Sequence, residues 1–314
     1  MKRKLFVYQS IIFSFIVVCS QTLAQTATSA GLAPQHWKAG DIYADEHRWN
    51  TCHVGDMPLV ISVPHGGRLK PSTLPDRQCL GVKGIDRNTM ELAEEIEQAF
   101  IRQYNKRPYI VFTHLHRSKI DQNRDFDEAT CGNEALRKVW ETFHRYIDTC
   151  LADAVQKHGY ALYIDLHGHA HPNQRLELGY LIGSKSMETL YKSEDGAQAA
   201  LGHKTSMRSV AINNGMDVRE LLFGDNAFGT LLQNAGIAAT PSKQDPYPVE
   251  GEKFFSGGYN TRRYTSGSHP NVFGFQIECH FKGVRSEEDI PGFAKKFAEV
   301  TVAYLNRLRL PKTP

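Results

Sequence analysis

Two apolar runs in this chain end in the same way. Leu59-Val60-Ile61-Ser62-Val63-Pro64 stops at His65-Gly66-Gly67, and Ala161-Leu162-Tyr163-Ile164-Asp165-Leu166 stops at His167-Gly168-His169. Short apolar runs rich in β-branched residues and bounded by glycine or proline read as buried strands. Around them strand-like and helix-like patterns alternate, with strands near 58–63, 109–113 and 160–166 and helices near 87–103 and 134–157. In the first helix Thr89, Leu92, Ala93, Ile96, Ala99, Phe100 and Gln103 share one stripe, while Glu94, Glu95 and Glu97 fall largely off it as a solvated face. Such alternation predicts βαβ units, hence an α/β fold with a mostly parallel mixed sheet and helices on both sides. A further strand at 177–182, a helical region at 217–235 and a short strand at 236–240 are expected. Residues 241–271, with repeated Pro, Gly, Ser and Tyr and no usable period, read as a long loop forming a wall or lid over a site.

A histidine at the C-terminal mouth of each of two strands constrains the chemistry. Open α/β sheets bind ligands outside the carboxyl ends of their strands, and neutral imidazole is the commonest metal ligand among side chains. His65 and His167 therefore predict one shared metal ion. A third run, Val272-Phe273-Gly274-Phe275-Gln276-Ile277-Glu278, delivers a carboxylate to the same edge. A catalytic zinc usually takes three protein ligands and keeps a position for water, so one ligand is missing. Position 68, where a common arrangement has a glutamate, is Arg68. Asp86, which ends the loop after the His65 strand, is the first candidate and Glu91 the second. An aspartate just before an amphipathic helix is also a preferred N-cap, so spacing leaves two roles open for Asp86.

The remaining residues around these strand ends supply proton transfer and charge. Glu278 suits a general base that takes a proton from an attacking water and returns it to a leaving amine, unless it lies on a solvated face with Gln276 and His280. Asp165 is placed to orient an imidazole, the usual companion of a metal-bound histidine. His169 and His171 offer further imidazoles, and His114 and His116 read as ordinary loop histidines. Arg117, Asn123 and Arg124 form a cationic, hydrogen-bonding wall. Arginine grips a carboxylate bidentately, and an arginine such as Arg117 can stabilise a developing oxyanion.

Composition bounds where such chemistry takes place. Lys2, Arg3 and Lys4 precede an apolar stretch near 11–18 and then Thr22-Leu23-Ala24, the pattern of a secretory signal over residues 1–24. The stretch is shorter than the ~20 residues a membrane-spanning helix needs. Export predicts a secreted or periplasmic protein with no stable membrane insertion after cleavage, a flexible lead-in over 25–40 and one domain over 41–314. Of the 37 Lys and Arg, three lie in the leader, which leaves 34 against 34 Asp and Glu. A neutral chain gives no basic stripe for nucleic acid. Cys52, Cys79, Cys131, Cys150 and Cys279 have no CxxC spacing, which argues against a thiolate zinc site. Oxidising conditions would allow pairing, whose connectivity spacing does not give.

Several segments, in order, resemble the N-formylglutamate amidohydrolases, a family related to the zinc carboxypeptidases and to aspartoacylase and succinylglutamate desuccinylase. They are Ser62-Val63-Pro64-His65-Gly66-Gly67, the Asp86 region, Asp121-Gln122-Asn123-Arg124-Asp125, Asp165-Leu166-His167, Gly257-Gly258-Tyr259-Asn260-Thr261-Arg262-Arg263-Tyr264 and Gln276-Ile277-Glu278. The resemblance implies a three-layer α/β/α fold of the phosphorylase/hydrolase, zinc carboxypeptidase-like type. It implies one Zn2+ held by His65, Asp86 and His167, Glu278 as general base, and Asn123 with Arg124 on a substrate carboxylate. The Gly257–Tyr264 segment adds Arg262 as a second carboxylate anchor, with Tyr259 beside it. The expected partner is a small acyl amino acid, or a short peptide with a carboxylate. Alternatives are a metallocarboxypeptidase or cell-wall amidase, and, in another class, a non-catalytic receptor for acidic ligands or metal. No Gly-x-Ser-x-Gly elbow of a serine hydrolase occurs.

Overall fold

A computed structural model describes residues 37–193, 201–308 and 310. The expected leader lies outside the described residues, as does the lead-in up to residue 36; at residue 37 the chain is already packed, with Trp37 stacked on Tyr43 at 5.4 Å between ring centroids.

Eight strands form one mixed sheet. They are β1 (Ile42–Ala44), β2 (Asn50–His53), β3 (Leu59–Val63), β4 (Tyr109–Thr113), β5 (Ala161–Gly168), β6 (Leu176–Gly179), β7 (Ala239–Thr240) and β8 (Val272–Cys279), in the spatial order β1-β2-β4-β3-β5-β8-β6-β7. The four central strands, β4, β3, β5 and β8, run parallel. On one side β2 joins β4 and β1 joins β2, both antiparallel; on the other β6 pairs antiparallel with β8. The helix Thr89–Tyr104 connects β3 to β4, and Arg137–His158 connects β4 to β5.

Period-two alternation divides the core between two layers. Leu59, Ile61 and Val63 of β3 pack with Leu92, Ile96 and Phe100 of Thr89–Tyr104 and with Phe293 and Phe297 of the helix Ile290–Arg307. Val60 faces the opposite way and packs with Val111, Phe143, Ile147 and Leu151, the last three from Arg137–His158. Helices therefore cover both faces, as alternation of strands and helices requires.

The structure adds elements beyond the expected ones, among them the strands β1 and β2 and the helices Ser184–Lys192, Arg208–Asn213 and Ile290–Arg307, and it breaks up two of the expected spans. The helical region at 217–235 is two helices, Val218–Phe223 and Phe228–Asn234, separated at Gly224. The long loop at 241–271 contains one short helix, Tyr259–Tyr264. One disulfide joins Cys79 to Cys131, and Cys52, Cys150 and Cys279 are free and buried.

Candidate active site

The C-terminal ends of β3, β5 and β8 lie side by side, and the register across them sets the site. His167 on β5 is the direct partner of Glu278 on β8, and Ser62 on β3 is the partner of Asp165 on β5. Directly paired residues project on the same face of a sheet, so His167 and Glu278 are neighbours by construction. His65 lies two residues beyond β3, where the chain passes close to the backbone after β4. A Cβ at Gly67 would stand 2.4 Å from the Leu115 carbonyl oxygen, so this turn admits only glycine.

His65, Asp86 and His167 converge. His65 Nδ1 is 3.0 Å from His167 Nδ1, and Asp86 Oδ2 is 3.3 Å from His167 Nδ1 and 3.5 Å from His65 Nδ1. The other ring nitrogens face carboxylates: His65 Nε2 donates to Asp121 Oδ1 at 2.7 Å and His167 Nε2 to Asp165 Oδ2 at 2.8 Å. An ionised carboxylate only accepts, so each Nε2 carries the ring proton and each Nδ1 presents a lone pair. Two lone pairs and an anionic oxygen thus meet with no donor among them except an added proton. A divalent cation fits that donor set, and the carboxylate behind each imidazole is the usual outer partner of a metal-bound histidine.

Asp86 is not the helix cap. The N-cap of Thr89–Tyr104 is Asn88, and the Asp86 carboxylate turns instead to the histidines and to the Gly168 N–H at 3.1 Å. Glu91 is removed from the cluster: it pairs with Arg68 at 2.5 Å on the surface. Of the three ligand candidates two are buried, His65 and His167, and Asp86 is partly open.

Charge at the site follows from burial and these contacts. Burial pushes the Asp86 carboxyl up, but hydrogen bonds from His167 and His65 prevail and hold it well below the usual carboxylate range. Asp121 is lowered in the same way: burial opposes, and His65, Arg117 and the Asn123 N–H outweigh it. For His167 burial favours the neutral ring, yet the Asp165 charge and hydrogen bond, with that of Asp86, raise its pKa well above the ordinary value. Glu278 goes the other way from the aspartates. Its burial raises the pKa from 4.5 to about 8, against His167 and the Gln276 amide and with Asp86 and Glu177 adding repulsion. Gln276 Nε2 donates to Glu278 Oε1 at 2.8 Å, and Gln276, Glu278 and His280 are all buried, so this face of β8 is not solvated.

The expected binding wall comes together only in part. Arg117 is at the site: its Nε donates to Asp121 Oδ2 at 3.0 Å and Nη1 lies 3.9 Å from Asp86 Oδ1. Asn123 is there too, with Nδ2 3.2 Å from His167 Nε2 and Oδ1 accepting the Asn260 N–H at 2.8 Å. Its oxygen is occupied by Asn260, and since His167 Nε2 gives its proton to Asp165, the Asn123 NH2 lies beside the ring with donors to offer. Arg124 points away, half exposed and 3.7 Å from Glu128, because Asp125 caps the next helix, Phe126–Thr130, and turns the chain outward. Arg262 is exposed on Tyr259–Tyr264. Tyr259 lies against the His144 ring at 5.9 Å and accepts from Arg263 at 3.3 Å. Neither residue contacts the histidine cluster. His114 and His116 are likewise engaged elsewhere, with Thr51 and with the Ser118 N–H.

Three residues beyond the expected set complete the site. Asp121 bridges His65 and Arg117; its signal was its place at the head of Asp121-Gln122-Asn123. Arg77 is buried, gives Nε to the Arg117 carbonyl at 2.9 Å and lies 3.8 Å from Asp121. Nothing in its spacing marks it. Asn260 ties the Gly258 turn to Asp165 at 3.3 Å. Here a Cβ on Gly258 would meet Asn123 Nδ2 at 2.5 Å, so glycine is needed for the close approach. A cavity of about 470 Å³ opens beside Asp86, lined by Ile85, Arg87, Gly168, His169, His171 and Phe281 among others.

Fold and site together define an α/β/α protein in which two histidines beyond strand ends and a loop aspartate form a cluster that could hold a metal ion. No family model matches the chain, and no curated protein matches it. Solved structures do. An N-formylglutamate amidohydrolase from Ralstonia eutropha JMP134 aligns at 13% identity and TM-score 0.49, covering 83% of this chain and 98% of that one. A gene product of Agrobacterium tumefaciens aligns at 11% identity and TM-score 0.48, covering 82% and 93%. A metallo-carboxypeptidase from Pseudomonas aeruginosa, solved with (2-guanidinoethylmercapto)succinic acid, aligns at 12% and TM-score 0.35, covering 83% and 61%. At such values the chemistry rests on the side chains themselves.

Proposed function

We propose that this chain is a metal-dependent amidohydrolase that cleaves the amide bond of an N-acylated acidic amino acid or a related small substrate. The observation that carries this reading is the convergence of His65 Nδ1, His167 Nδ1 and Asp86 Oδ2 within 3.5 Å, with Glu278 one strand away. Zn2+ suits two imidazoles and a carboxylate. When bound, the ion would polarise the substrate carbonyl and lower the pKa of water toward ~7.

The chain's own residues do the rest. Asp121 and Asp165 keep both Nδ1 lone pairs aimed at the centre, and Asn123 packs against His167. Glu278, held by Gln276 in a buried setting, takes the proton of the attacking water as its oxygen bonds to the carbonyl carbon. It returns that proton to the amine nitrogen as the C–N bond breaks. Arg117, already beside Asp86, supplies positive charge for the developing oxyanion. The leader pattern supports a secreted or periplasmic location for this activity, and a small acyl amino acid or short peptide as partner.

The test is metal content and amide hydrolysis for the wild type, His167→Ala and Glu278→Gln. The substrates are N-acylated Glu, Asp and Gln and short peptides, with and without chelator. Chelation and either substitution should abolish turnover. Full activity in Glu278→Gln removes the general base from the mechanism, and cleavage of long peptides in preference to acyl amino acids moves the reading to a carboxypeptidase.

A further inference from the structure

Beyond β5 the chain places a second set of metal-ligating groups that the hydrolytic step does not use. His169, His171 and Glu177 bring one ligand atom each within 4.8 Å of one another. Glu177 is fully buried on β6, is the direct partner of Glu278 on β8, and forms no ion pair with Lys or Arg among the described residues. Its contacts are His171 Nδ1, 2.7 Å from Oε1, and the Phe255 N–H, which donates to Oε2 at 2.8 Å. A buried carboxyl group must be hydrogen-bonded or paired, and the side chain that faces Glu177 is the His171 imidazole.

We propose that His169, His171 and Glu177 form a second binding site for a divalent transition cation, with zinc the best match to two imidazoles and a carboxylate. His169 already has the outer contact typical of a ligand: Nε2 donates to the Arg175 carbonyl at 2.9 Å, which leaves Nδ1 as the lone-pair nitrogen. That lone pair now accepts the His171 N–H at 3.1 Å and would exchange it for the ion. The His171 ring is held by stacking on Phe255 at 4.6 Å between centroids. Admitting the ion requires Nδ1 and Oε1 to part from their present hydrogen bond to a spacing of roughly 3.3 Å, set by metal–ligand bonds of ~2.0–2.2 Å. Both histidines line the cavity beside Asp86, which gives the ion a path from solvent and leaves room for a water ligand. Bound there, it joins the turn after β5, the strand β6 and the Phe255 loop.

This site stands on its own residues, and its test separates it from the hydrolytic centre. The intact chain, stripped by chelator and dialysed against Zn2+ alone, should bind two ions by elemental analysis. His171→Gln and Glu177→Gln should each bind one. A chain with His65→Ala and His167→Ala should also bind one, with Co2+ giving a tetrahedral-type visible spectrum that His171→Gln abolishes in that background. His171 is partly exposed, so His171→Gln keeps the test available should Glu177→Gln fail to fold. One ion in the wild type, retained in His171→Gln, overturns the second site and leaves the first standing. One ion retained after His65→Ala and His167→Ala but lost with His171→Gln overturns the first and leaves the second. No bound zinc overturns both.

Discussion

Glu278→Gln offers a test of the site that needs no substrate, because the metal-free protein should carry a pH-dependent stability that this one substitution removes. Burial raises the folded-state pKa of Glu278 from 4.5 to about 8. Below the unfolded value both states hold the proton and the favourable contribution is fully present. Between 4.5 and about 8 the unfolded chain releases its proton while the folded one retains it, so stability falls as pH rises. At roughly 1.4 kcal/mol per pKa unit, the ceiling on the loss is about 5 kcal/mol. Glutamine is nearly isosteric, keeps a hydrogen-bonding group beside Gln276 and does not ionise. His167, whose pKa is also raised, loses stability in the same direction, while Asp86 and Asp121, both lowered, lose theirs on acidification. Asp121 does not appear among the groups that shift Glu278 and cancels in the difference, whereas His167 and Asp86 interact with Glu278, so the difference reads the Glu278 proton together with that interaction. Denaturant unfolding of chelator-treated wild type and variant at pH 5, 6, 7 and 8, followed by circular dichroism, should show the variant gaining on the wild type by about 1 kcal/mol per pH unit. A difference flat to within ~0.5 kcal/mol across that range would mean that Glu278 ionises like a solvated acid, and the placement of a buried proton acceptor beside the cation cluster would be wrong.

Asp121→Asn and Asp165→Asn should each weaken zinc binding by about 10–100-fold, the usual effect of losing a ligand's outer partner, read by competition with a chromophoric chelator. On the substrate found by the acyl amino acid screen, Arg117→Ala should lower kcat/KM by roughly 10–100-fold, the equivalent of one charged hydrogen bond. Arg124→Ala and Arg262→Ala, whose side chains lie on the surface, should change it less than about 2-fold; a loss matching that of Arg117→Ala would return either residue to the binding wall. Replacing Cys79 and Cys131 with serine removes a cross-link between residues 52 apart, for which chain entropy gives about 4 kcal/mol. Unfolding midpoints of oxidised wild type and variant check it, and equal stability would rule out a structural role for the bridge.

What could be read in advance divides along a physical line. His65, His167 and Glu278 were legible because strand geometry is periodic: an apolar run ends at a definite residue, and its neighbour across the sheet shares its face. Asp165 followed from the same alternation, being two residues before His167 on the same face. Asp86 was legible as a choice between cap and ligand, and the left-handed Asn88 decides it by taking the cap position and releasing the carboxylate. Loops obey no such period. Within Asp121-Gln122-Asn123-Arg124, one of the two residues expected to grip substrate, Arg124, lies half exposed beside Glu128, the other, Asn123, stays beside His167, and the one given no role, Asp121, turns inward to His65, next to the cap Asp125 of the following helix. The strands β1, at the sheet edge, and β2, between β1 and β4, escaped because they join antiparallel, outside the alternation of strand and helix. The C-terminal helix Ile290–Arg307 did have a signal, for Ile290, Phe293, Ala294, Phe297, Val300, Thr301 and Tyr304 repeat at helical spacing. It covers the face of the sheet that carries Leu59, Ile61 and Val63 and packs on Thr89–Tyr104, so it supports the strand end from which His65 projects. The chemistry of the site is thus written in strand ends, and its orientation in turns whose direction only the folded chain reveals.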